Sequence, residues 1–193
     1  FDYVDPRNRS VQLERETAFT YYLKNIHAFL PPVERKIDLS EGEFAYEASV
    51  ITPVRNRIRT IADAIESVLK QETDFPFNLI VIDNHSTDGT TECIDQYTGN
   101  ENVIHLIPER DDLGIGGCWN LGVHHPLCGR FAVQLDSDDL YGSPSTLQTI
   151  VDKFRRERCA MVIGSYRMTN FQLETLPPGV IDHKEWTDTN GHN

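Results

Sequence analysis

The chain has 193 residues, 39% of them hydrophobic and 25% charged, which is the composition of a globular protein with room for one sizeable core. Thirty acidic against eighteen basic residues leave a net charge of -12, which argues against a nucleic-acid partner bound through its phosphates. No apolar run reaches the roughly 20 residues that a membrane span needs.

The chain opens at Phe1 rather than Met, so a piece of a longer protein is expected. Residues 1–46 are expected to form a helical extension and linker, with Phe19, Tyr22, Leu23, Ile26 and Leu30 at helical spacing and Pro31-Pro32 as the stop. From Ala48 onward short β-branched runs alternate with amphipathic patterns. Ser49-Val50-Ile51-Thr52 forms a strand ending at Pro53, and Ile58, Ile61, Ala62, Ile65, Val68 and Leu69 mark one face of a helix. Residues 77–82 make a second strand, followed by the turn Asp83-Asn84-His85-Ser86-Thr87-Asp88-Gly89 and a helix that Asp88 can cap. A third strand spans 102–107 and a third helix 114–123. A fourth strand, 131–135, leads to a helix with Ser143-Pro144 at its start and Leu147, Ile150, Val151 and Phe154 on its inner face. Residues 159–164 are expected as a fifth strand. The alternation predicts an α/β domain over residues 47–166 with a mostly parallel sheet buried on both faces, and 167–193 begin a further region.

Ligands of such sheets sit at the carboxyl ends of the strands, where strand order reverses. Three polar clusters have that address: Thr52-Pro53-Val54-Arg55-Asn56, the turn from Asp83, and Asp136-Ser137-Asp138-Asp139. Three carboxylates after an apolar run repel one another, so the last cluster is either a cation site or a solvated turn. Asp136 and Asp138 sit at the strand's end, where alternate side chains share a face, so they are expected to project the same way and can share Mg²⁺ or Mn²⁺, with phosphate oxygens as further ligands. Leu113 to Gly122 is glycine-rich but lacks the G-x-G-x-x-G spacing, since residue 119 is tryptophan. It is either a packing surface or a place of close ligand approach, with Asn120 as a polar contact. His124 and His125 are expected on a surface turn, and Cys93, Cys118, Cys128 and Cys159, which form no C-x-x-C pair, as reduced thiols.

In order and interval, "ASVITPVRNR", "IVIDNHSTDGTTECI", "DLGIGGCWNLGV" and "FAVQLDSDDLYG" resemble the nucleotide-sugar-binding half of family 2 inverting glycosyltransferases with the GT-A fold. The resemblance implies a metal-dependent enzyme of glycan biosynthesis that moves a sugar from a nucleoside diphosphate donor, a UDP-sugar, to a hydroxyl of a saccharide or lipid-linked acceptor. It further implies a cytoplasmic or membrane-peripheral setting and bacterial relatives. On this resemblance Thr52 and Pro53 line the nucleobase pocket and Asp83 recognises the base. Asp136 contacts the ribose side, Asp138 ligates Mg²⁺ or Mn²⁺ and Asp139 supports them, while Arg55, Asn120 and Ser137 belong to the same donor site. Two departures stand out: Asp83-Asn84-His85-Ser86 replaces the common D-D-G-S, and Cys118-Trp119-Asn120 lacks the arginine of A-R-N. The base that activates the acceptor is expected beyond residue 193; Asp182, His183, Glu185 and Asp188 qualify by residue type alone. A nucleotidyltransferase and a donor-binding piece without turnover are the rival readings.

Overall fold

The computed structural model describes residues 9–31 and 38–183. The chain divides into two compact units, one made of Phe1–Lys36 with Ile163–Asn193, the other of Ile37–Val162.

In the first unit, α1 (Arg9–Asn25) carries no buried residue. It ends before Pro31, contrary to expectation. His27 takes the left-handed conformation (φ 56°), its N–H donates to Lys24 O and Ala28 N–H donates to Leu23 O. These paired bonds satisfy the last carbonyls as a Schellman cap, so the helix closes before the prolines are reached. The unit also holds an antiparallel pair, described below as β5 (Tyr166–Thr169) and β6 (Thr175–Ile181).

The second unit is built on β1 (Ala48–Val54), β2 (Phe77–Asp83), β3 (Val103–Leu106) and β4 (Phe131–Gln134), all parallel in the order β3-β2-β1-β4. The helices are α2 (Ile61–Leu69), α3 (Thr90–Asp95), α4 (Gly114–Val123) and α5 (Thr146–Glu157). Strand order reverses between β1 and β4. Every residue of β1 is buried, and its alternation divides the core. Val50 and Val54 face a cluster with Ile61, Ile65, Leu147 and Val151 from α2 and α5, while Ile51 joins Ile80, Ile82 and Cys118 under α4. Burying such aliphatic side chains supplies about 1.5–3 kcal/mol each.

Gly122 explains how α4 seats itself. A Cβ there would lie 2.6 Å from Ile51 Cγ2 and 3.0 Å from Ile82 Cδ1, so the glycine lets the helix approach the sheet. At the opposite, amino end of the strands, Ser49 Oγ bonds Asn78 Oδ1 and accepts from Gly129 N–H at 2.7 Å, and Asn78 Nδ2 donates to Leu127 O at 2.9 Å.

Two expectations are corrected. Burial on both faces fails at β4, where Phe131 and Val133 are buried while Ala132 and Gln134 are exposed. The fifth strand at 159–164 does not form; Met161 and Ile163 are exposed and the chain becomes extended and paired only from Tyr166. A strand needs a neighbour to satisfy its backbone groups, and residues 159–164 make no ladder. All four cysteines are free. No helix among the described residues is long and apolar enough to cross a membrane.

Candidate nucleotide-sugar site

The carboxyl ends of β1 and β2 are in register, Val54 beside Asp83, and β4 ends on the other side of β1. Three turns therefore leave the sheet at the reversal point. The first two are tied together: Asn84 N–H donates to Val54 O (2.8 Å), Asn56 N–H to Ser86 Oγ (2.9 Å), and Thr87 N–H to Asn56 Oδ1 (2.7 Å). Asp88 spans both, accepting Ile58 N–H at 3.2 Å on one oxygen and Thr90 N–H at 3.1 Å on the other. The cap expected of Asp88 is not made: Gly89, with a φ of 96° that suits a residue without a Cβ, is the N-cap and α3 has no side-chain cap bond, while Asp88 holds the first helical amide from one residue further out.

Asp83 is fully buried, and its carboxylate faces inward. Oδ1 accepts Ser86 N–H at 2.9 Å and Oδ2 accepts Thr91 Oγ1–H at 2.5 Å, with His105 Nε2 at 3.8 Å from Oδ2. Burial pushes this carboxyl up, but the imidazole of His105 and the bonds from Ser86 and Thr91 outweigh it and hold it well below the ordinary range. His105, at β3, donates through Nδ1 to Asp95 Oδ1 at 2.9 Å. Asp83 raises its pKa, burial opposes the rise, and Asp95 adds to it. Each oxygen of Asp83 thus already accepts one bond, from the turn backbone and from α3, which fixes how the turn leaves β2.

Its neighbour Asn84 differs. Only 7% exposed, it keeps Oδ1 without a hydrogen-bond partner, as do the buried Thr52 Oγ1 on β1 and His85 Nε2. Buried polar atoms are normally satisfied, so unpartnered ones at strand ends mark places where a ligand can supply the partner. Thr52 and Pro53 are both buried at the end of β1, while Arg55 is exposed in the turn that follows.

The acidic turn lies outside the strand. β4 ends at Gln134, and Asp139 N–H donates to Asp136 O at 3.0 Å, closing a turn. The strand alternation expected to aim Asp136 and Asp138 alike therefore does not apply. Asp136 is half-buried and accepts from Gln134 Nε2 at 3.1 Å, Ser137 is buried, and Asp138 is exposed. Packing around Asp139 raises its pKa, and the charges of Asp136 and Asp138 raise it further. Asp138 meets a cation of the chain: Arg57 Nε lies 3.6 Å from its Oδ2, bridging the turns of β1 and β4 across the reversal point. Among the described residues no three His, Cys, Asp or Glu side chains group as a metal cage. The donor set of Asp136, Asp138 and Asp139 is all carboxylate, which is the donor chemistry a hard divalent cation takes, although the three do not converge as a cage.

Asn120 is exposed on α4, where its backbone carbonyl accepts from His124 N–H; the glycine-rich stretch resolves into packing at Gly122, with open space around Gly114 and Gly116. Asp182 and His183 follow β6, in the first unit, and Glu185 and Asp188 lie outside the described residues. Sequence reasoning gave no role to Arg57, Thr91 or His105, and named Asn56, Asn84 and Ser86 only as members of their turns. The string Ser86-Thr87-Asp88-Gly89-Thr90-Thr91 carried a signal, since short hydroxyl and carboxylate side chains bond nearby backbone in turns. Nothing local announces the pairing of Arg57 with Asp138.

A parallel sheet reversing between β1 and β4, flanked by helices, is the arrangement of the GT-A fold. Residues 49–181 match the model of Glycosyl transferase family 2, and the chain belongs to that family. It is 25% identical over 118 residues to the glycosyltransferase GlyG of Streptococcus pneumoniae, covering 61% of this chain and 38% of that protein. It is 23% identical over 214 residues to chondroitin synthase of Pasteurella multocida, covering 98% of this chain and 22% of the synthase. The chain thus spans less than half the length of either relative. Among solved structures it resembles TarS of S. aureus in complex with UDP-GlcNAc, with TM-score 0.51 and 29% identity over 58% of this chain and 32% of that one. A mannosyltransferase from Pyrobaculum calidifontis, in complex with GDP-Man and Mn²⁺, shares the fold at TM-score 0.51 and 18% identity over 83% of this chain and 45% of that one.

Proposed function

We propose that this chain is the donor-binding part of a metal-dependent, inverting glycosyltransferase that takes a UDP-sugar and glycosylates a hydroxyl of a saccharide or lipid-linked acceptor. The observation that carries the reading is the pairing, at one reversal point, of unpartnered buried polar atoms with a solvent-open acidic turn. The first suit a nucleobase and the second suits a cation-bound diphosphate.

In this reading Thr52, Pro53 and Asn84 hold the base, and Asp83 keeps the second turn in shape beneath Asn84. Asn84 Oδ1 can accept an imino N–H, and its amide can donate to a ring carbonyl. Asp136 takes the ribose side. Asp138 and Asp136 hold Mg²⁺ or Mn²⁺, with Asp139 beside them; when bound, the metal offsets negative charge on the diphosphate leaving group. Ser137, Arg55 and Asn120 are assigned to the rim of the same donor site. UDP-GlcNAc bound to TarS and Mn²⁺ bound to the mannosyltransferase support the choice of ligand classes. The acceptor's proton passes to a carboxylate base that the donor site does not itself contain.

Isothermal titration with UDP tests the proposal. Binding that strengthens on adding Mn²⁺ and loses that metal dependence in Asp138→Ala is the expected result. UDP affinity indifferent to both would refute it.

A further inference from the structure

Among the groups not yet given a task, Arg57 is the cation that stands beside the acidic turn. Its backbone is fixed, because Arg57 N–H donates to Thr90 Oγ1 at 2.8 Å and the preceding Asn56 is tied to Ser86 and Thr87. The anchored loop delivers a guanidinium to the mouth of the crevice, where Nε sits 3.6 Å from Asp138 Oδ2. Both side chains are about half exposed, 49% and 54%, so the pair is hydrated and contributes little to stability. An ion pair of that kind exchanges partners readily.

Its partner is the acid assigned above to a divalent cation. A metal at Asp138 and a guanidinium at Asp138 compete for the same oxygen. Arrival of the metal releases Arg57 beside the site of the diphosphate, and a guanidinium offers the planar set of donors that phosphate oxygens accept. Helix α4 carries no Lys or Arg, and its Trp119 packs, partly buried, against the cluster of Ile51, Ile80, Ile82 and Cys118. Arg57 supplies positive charge from the other side of the crevice.

We propose, resting on the donor-site reading above, that Arg57 is a diphosphate-binding residue held on Asp138 until a divalent cation takes its place. The same side chain thus stands in for the metal when it is absent and assists it when present.

Thermal-shift and calorimetric titrations of the wild-type chain, Arg57→Gln and Arg57→Lys, with Mn²⁺ alone, uridine, and UDP plus Mn²⁺, test this. In Arg57→Gln, UDP affinity in Mn²⁺ is expected to fall about tenfold while uridine affinity is unchanged. The Mn²⁺ midpoint without nucleotide should move to lower concentration, because a competing cation is gone; Arg57→Lys should lie between. A purely structural role would weaken uridine and UDP alike and leave the Mn²⁺ midpoint unmoved, and that result overturns the proposal, as does Arg57→Gln binding UDP like wild type. If the wild-type chain itself ignores UDP in Mn²⁺, the donor-site reading fails first and this one with it.

Discussion

The turns after β2 and β4 leave the same sheet at the same end, and each has an aspartate near its start. They treat that aspartate in opposite ways. At Asp83 the chain surrounds a fully buried carboxylate with Ser86, Thr91 and His105, so its charge is spent on holding the turn. At Asp136 to Asp139 the acids crowd one another, and the only cation bonded to them among the described residues is the half-exposed Arg57. A carboxylate satisfied from within builds shape, whereas one left to solvent and a loose partner remains available to a ligand.

Substitution should separate the two. Asp83→Ala removes two hydrogen bonds and leaves His105 buried with Asp95 as its only anion; a loss of about 3–5 kcal/mol in urea unfolding is expected. A loss below 1 kcal/mol would mean that the second turn is no firmer than the fourth. Asn56→Ala breaks the tie to Thr87 and places alanine at φ 55°, with an expected cost of about 1–3 kcal/mol. Asn56→Asp, which keeps the acceptor and tolerates that conformation, should recover most of it.

Acid unfolding should resolve the turns by sign. Asp83 titrates lower in the folded chain than its ordinary 3.8, so its contribution is full above that value and is lost as pH falls through the folded pKa. Asp139 titrates higher than 3.8 when folded, so the fold takes up its proton more readily and this group favours stability as pH falls. His105 adds a third limb: its folded pKa lies above 6.5, so its contribution is present below that pH and is lost as pH rises through the folded value. Chemical denaturation of Asp139→Asn against wild type between pH 3 and 6 should therefore show a flatter gain on acidification in the variant. The smallest effect is expected at Asp138→Asn, whose stability should stay within about 0.5 kcal/mol of wild type even as Mn²⁺-dependent UDP binding is lost.

The legibility of these regions from sequence follows the range of the forces involved. Helix α4 was predicted at its observed bounds and β2 nearly so, because their patterns are local. The half-exposed face of β4 is also written in Phe131-Ala132-Val133-Gln134, a true period of two that the rule for parallel sheets obscured. The missing fifth strand was not legible, since pairing depends on a neighbour rather than on the apolar residues themselves. Within the candidate site, the addresses of the three turns were readable from where apolar runs end. Which acid turns inward was not: Asp83 and Asp138 look alike in sequence, and the difference arises from His105 and Arg57, which lie on other elements. Asn84 was named only as a member of its turn for the same reason, its unpartnered oxygen being visible only in three dimensions.

The knot of Ser49, Asn78 and Gly129 at the other end of the strands sets the mechanics of all this. A Cβ at residue 129 would lie 2.7–2.9 Å from the backbone of Ala48, so chain and sheet there interlock with no slack. A side chain at residue 129 would have to push Ala48, the first residue of β1, out of its register with Phe77 and Phe131, and would carry that displacement along β1 toward the crevice.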